Sequence, residues 1–165
     1  MEIWKLKEKQ EVTFGYTGLE LVPHQKLNEA QVGYSSDKNG EYCCGISEGD
    51  WRREWIVIGR ELSCGDPIFI DSSAPDIPVY TAVHGVGGWH PNLISKSYLG
   101  FMEIVKKFKS VAKGREFPTA LESNPMTQTE FDSFLEFART KGELEDTFFW
   151  GLMVADEESG IEPET

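Results

Sequence analysis

The clearest hydrophobic pattern lies in the middle of the chain. In "REWIVIGRE", Trp55, Ile56, Val57 and Ile58 follow one another without a polar break. Both faces of that segment are apolar, which predicts a central strand covered on two sides. "PIFID" and "PVYTAVH" follow, rich in β-branched and aromatic residues, with "SSAPDIP" between them. In the latter, Val79, Thr81 and Val83 fall on one face, and Tyr80, Ala82 and His84 on the other. Three strands with short connections predict an antiparallel meander.

The first two are joined through "GRELSCGDPIFIDSS". There Gly65 permits a positive φ, Asp66 can hydrogen-bond the local backbone, and Pro67 opens a strand where its missing N–H does least harm. Ile68 and Ile70 then face one side, Phe69 and Asp71 the other. Earlier, "VTFGYTGLELV" and "SSDKNGEYCCG" predict small strands, with Asn39-Gly40 as a hairpin signal.

After the loop "GVGGWHPN" the period lengthens. Ile94, Tyr98, Phe101, Val105, Phe108 and Ala112 recur at helical spacing, a buried stripe that Gly114 can end. Lys106, Lys107, Lys109 and Lys113 lie mostly off that stripe and read as a solvated face. Thr127 and Glu130 match a capping box for a second helix, with Phe131, Phe134, Leu135 and Ala138 inward and Gly142 closing it. "TFFWGLMV" fits a further helix or an edge strand. The expected organisation is one domain over residues 1–155, followed by an acidic, flexible tail over 156–165. Strands grouped before helices predict an α+β fold, mainly antiparallel sheet with flanking helices.

Charge narrows the classes of partner. A chain of 165 residues with formal net charge -12 is a poor general binder of nucleic acid, which rewards neutralised phosphates, and anionic membranes repel it. A basic protein partner suits it better. "MEIWKLKEKQEVTFGY" carries no apolar run of signal-peptide length, and no segment approaches the ~20 apolar residues of a membrane span. Cys43, Cys44 and Cys64 are an odd number with two adjacent, which favours reduced thiols and a cytoplasmic setting.

The candidate chemistry is thin. Cys64 as a nucleophile needs a base, and His84 is the plausible one, with Asp66 or Asp71 to orient it. No nucleophile-loop signature surrounds it, so a cysteine-dependent hydrolase is an alternative and a structural turn is the expectation. Adjacent Cys43 and Cys44 lack zinc spacing, and Asp66 and Asp71 lack the company of a calcium loop. No metal or cofactor is expected. His84, Trp89 and His90 are the candidate binding surface, Trp89 as an exposed platform or as a lid over the sheet edge. "HGVGGWHPN" lacks the ending of a phosphate-binding loop.

Taken in order, "WIVIG", "GDPIFID" and "VYTAVHG" resemble the SUKH superfamily of Smi–Knr-like domains, many of them bacterial immunity proteins. Ile58-Gly59, Gly65-Asp66, Phe69-Ile70-Asp71, Val79-Tyr80 and His84 occupy the places of the family's pattern, and "SKSYLGFMEIV" its following helix. The resemblance spans about residues 55–108. It implies an α+β fold and a non-enzymatic protein that binds and neutralises a toxin, for example a basic nuclease. A regulatory or scaffold module binding an endogenous protein is the alternative on the same fold. Gly59, Gly65, Asp66, Asp71 and Tyr80 are then structural.

Overall fold

The computed structural model describes residues 2–83 and 87–164. Among them β1 (Gln10–Phe14), β2 (Thr17–Leu21), β3 (Trp55–Glu61), β4 (Pro67–Asp71), β5 (Val79–Thr81) and β6 (Asn92–Ser95) form one antiparallel sheet, ordered in space as in the chain. The helices are α1 (Leu27–Ala30), α2 (Tyr98–Ala112), α3 (Pro118–Ser123), α4 (Gln128–Gly142) and α5 (Phe148–Met153). The architecture is α+β, as the grouping of patterns predicts.

Strand alternation divides the apolar residues between two cores. Ile58, Ile68, Ile70 and Val79 join Phe101, Phe108, Phe134 and Trp150 of the helices in the larger one. Val57, Phe69 and Ala82 point the other way and pack with Trp51 in a smaller one. Tyr34, Trp55, Tyr80 and Trp89 close over that second core. The uninterrupted apolar run of β3 therefore has a cover on each face.

Two devices hold β3 in place. Its register against β4 slips between Val57 and Gly59, a bulge where a Cβ on Gly59 would collide with the Glu20 carbonyl of β2. β2 leaves β3 just past that point, where the last bond between them runs from Val22 N–H to the Ile58 carbonyl at 2.9 Å. The Gln31 amide substitutes for a strand. Its Oε1 accepts from Val57 N–H at 2.9 Å and its Nε2 donates to Val57 C=O at 2.8 Å. Both polar groups of this buried strand residue are satisfied by one side chain.

α2 begins later than its apolar period suggests. Ile94 belongs to β6, and Ser97 caps the helix by accepting Gly100 N–H at 3.0 Å. α2 and α4 pack where Gly100 meets the Lys141 carbonyl, a space no Cβ could share. The Thr127–Glu130 capping box is present, and Thr127 N–H, with Arg115 alongside, holds the Glu130 carboxyl below its usual range. The left-handed residue after α4 is Glu143, at φ 51, and not Gly142. Gly142 instead leaves room for Leu144 and Ile104, whose methyls would lie 2.9 and 3.2 Å from an added Cβ.

Three further segments take definite form. Asn39-Gly40 makes a tight turn on the Asp37 carboxylate, which accepts from Asn39 and Glu41 N–H at 2.8 Å, flanked by an isolated Ser36–Tyr42 bridge and not by strands. Of the helix and edge-strand alternatives for "TFFWGLMV", the helix forms as α5, and its Trp150 donates to the Ile94 carbonyl at 2.9 Å. The acidic segment after Ala155 folds back. Asp156 and Ile161 exchange backbone hydrogen bonds of 2.6 and 2.9 Å, Ile161 enters the large core, and Pro163 lies against Gly151. The lone apolar residue among those acids is the anchor.

Candidate interaction groove

The β3–β4 turn is organised by a carboxylate. Glu61, only 5% exposed, accepts N–H from Ser63 at 2.8 Å, Cys64 at 2.7 Å and Asp66 at 3.0 Å. Charge-assisted bonds to three backbone donors of one turn fix the loop around a single side chain. Gly65 sits at φ 79 with open space around its Cβ position, as the turn requires. The Glu61 carboxylate thus gathers the backbone donors of this turn. Asp66 contributes its own backbone, with its C=O accepting Glu61 N–H at 3.0 Å.

This turn is one wall of a groove of about 700 Å³ at the end of the sheet. The β1–β2 turn, the ends of β5 and β6, α3, α5 and residues 155–158 supply the rest. Their mutual placement is specified. Thr17 Oγ1 lies 2.7 Å from the Met153 carbonyl, tying the first hairpin to α5. Gly15 N–H donates to the Arg115 carbonyl at 2.8 Å, and Leu121 of α3 covers Gly15 so closely that a Cβ there would stand 2.7 Å from its methyl. Arg115 in turn donates to the Asn124, Val111 and Pro125 carbonyls, holding the α2–α3–α4 connections.

The lining combines two chemistries. Leu121, Phe149 and Met153 are buried, whereas Tyr16, Val83 and Leu152 leave much of their apolar surface in water. The carboxylates of Glu61, Asp66, Glu122, Asp156, Glu157 and Glu158 stand among them, and the described lining holds no lysine, arginine or histidine. Glu122, Glu157 and Glu158 are exposed and make no ion pair among the described residues. Thr81, 7% exposed, also lines the groove. Its hydroxyl is the buried side-chain polar atom left without a hydrogen-bond partner among the described residues.

The residues singled out from sequence are spread around the fold. Gly59 forms the bulge and Gly65 the turn. Asp71 closes β4 by accepting Ser73 N–H at 2.9 Å and its hydroxyl at 2.6 Å. Tyr80 stacks on Phe69 with ring centres 5.8 Å apart, and burial with the nearby Asp71 charge pushes its hydroxyl pKa upward. Trp89 packs on Tyr34 and Trp51 at 5.2 and 5.3 Å, a lid over the second core. His90 is exposed on the loop before β6, and His84 lies outside the described residues. Cys64 is exposed on the groove lining, Cys43 is exposed elsewhere, and all three cysteines are free.

Sequence reasoning missed Glu61, Thr81 and the groove itself. One signal was available. α5 is apolar all round, with Phe149, Trp150 and Met153 inside and Phe148 and Leu152 outside, and a short helix of that kind needs cover on both faces. Among the described residues no group of three or more His, Cys, Asp or Glu side chains is placed to hold a metal ion. No helix among them is long and apolar enough to cross a membrane. Compared with known proteins, the chain matches no family model, no curated protein and no solved structure.

Proposed function

We propose that the protein is a non-enzymatic binding protein that neutralises a basic protein toxin, in the manner of the SUKH-type immunity proteins its central motifs resemble. The observation that carries this reading is the groove, an apolar surface set among six carboxylates without a basic residue in its described lining. Like charges held close together repel one another and cost stability. A cationic partner turns that cost into attraction, while the exposed apolar side chains supply area to bury. The net charge of -12 extends the same field over the surface, which speeds encounter with a nuclease whose cleft is built for phosphates. The α+β fold is the one the resemblance implies. A toxin acting inside the cell would be met in the cytoplasm.

The test is co-expression with the product of the gene adjacent to its own. Growth should be restored, and association of the purified proteins should slow by about tenfold or more between ~50 and ~500 mM salt. A neighbour product that is harmless alone removes the immunity reading. Binding to an endogenous protein instead would establish the regulatory-module alternative.

A further inference from the structure

We infer that the groove at the end of the sheet receives a basic polypeptide segment, in which one or two large apolar side chains are flanked by lysine or arginine. This rests on the protein-binding reading and specifies both the surface and the chemistry of what it takes.

Two independent observations point to an occupant. The first is charge. Glu122 on α3 and Glu157 and Glu158 after α5 stand on the groove with no ion pair among the described residues. The second is an unanswered polar group. The Thr81 hydroxyl is buried in the lining without a partner among the described residues, and a hydroxyl there can accept an N–H or donate to a carbonyl. Leaving such a group unpaired is unfavourable, so a ligand that reaches it gains affinity.

The apolar surface decides what kind of molecule fits. A volume of about 700 Å³ would admit a small compound. Tyr16 at 80% and Val83 at 62% exposure, however, leave most of their surface outside the cleft, and Phe117 beside Pro118 is 56% exposed. A small ligand would leave those side chains in water. A polypeptide crossing from the β1–β2 turn to α5 covers them, with its cations over the acidic rim. Apolar anchors flanked by polar contacts are the usual division of labour in such an interface.

The probe is a fluorescent amphipathic leucine–lysine peptide of about 18 residues, measured by anisotropy against the full chain. Two peptides serve as comparisons, a lysine–glycine peptide of equal charge and a leucine–glutamate peptide. The leucine–lysine peptide should bind about tenfold or more tightly than either. The triple variant Glu122→Lys, Glu157→Lys, Glu158→Lys should lose at least about tenfold in that affinity with no fall in its melting midpoint. In a Cys43→Ser, Cys44→Ser background, bound peptide should shield Cys64 from alkylation.

Equal binding of the lysine–glycine peptide would reduce the site to nonspecific charge attraction and overturn the inference. So would an unaffected triple variant, an unshielded Cys64, or octylammonium competing as strongly per mole as the peptide, which would mark a small-molecule site. The two proposals fail separately. If the triple variant still neutralises the toxin, the groove is wrong and the immunity reading stands. If the peptide binds but the neighbouring gene product is harmless, the groove stands and the immunity reading falls.

Discussion

Gly59 and Gly65 lie six positions apart and serve opposite needs. At Gly65 the constraint is torsional, because φ is 79 and nothing lies within 4 Å of a Cβ. At Gly59 the constraint is spatial, because β2 passes too close at the bulge. Gly65→Ala should therefore cost about 1 kcal/mol, the strain of a left-handed alanine. Gly59→Ala should cost about 2–3 kcal/mol, since strand backbone must move to admit a methyl. Urea denaturation of the two variants checks the order, and equal losses would refute it. The positive φ of Gly65 was legible because Gly-Asp-Pro is turn chemistry by itself. The need for Gly59 and the Glu61 clamp were not, since each depends on what lies beside β3 in space.

At the scale of elements, the strands and helices with strong local signals were legible and those specified by their neighbours were not. Thr127 and Glu130 announce α4 by reciprocal bonds within one turn. β6 carries no such mark. Ile94 falls four residues before Tyr98 and so mimics the helical period, and only pairing with β5 makes it a strand. The short α1 is similarly silent, yet Gln31 just after it completes β3. Gln31→Leu keeps the bulk and removes both bonds, leaving Val57 N–H and C=O unpaired. The expected loss is about 2 kcal/mol, with faster hydrogen exchange at the Val57 amide. Unchanged exchange there would mean that the amide is not acting as a strand.

Over the whole molecule, the balance of charge sets a second constraint. With a net charge of -12 the folded chain repels itself, and the groove gathers part of that charge on one surface. Added salt should therefore stabilise the protein. A rise from ~10 to ~300 mM sodium chloride should lift the melting midpoint by about 2–4 °C, a change of ~1 kcal/mol for a chain of this size. The triple groove variant brings the net charge to -6, since each Glu→Lys exchange adds two to -12. It should melt higher than the parent in low salt and respond less to added salt. A lower midpoint would show that those acids stabilise the fold by contacts of their own. A gain in stability coupled to a loss of binding is the usual signature of residues kept for function.

The groove draws its parts from distant stretches of the polypeptide, Tyr16 and Thr17 near one end and 148–158 near the other. The six strands, by contrast, succeed one another along the chain and end at Ser95. During translation the sheet strands are all made before the α5 wall has been synthesised. A ribosome-bound chain halted before Phe148 would possess the strands and lack one wall of the groove. Any binding in the groove therefore waits until residues 148–158 have been made and have left the ribosome.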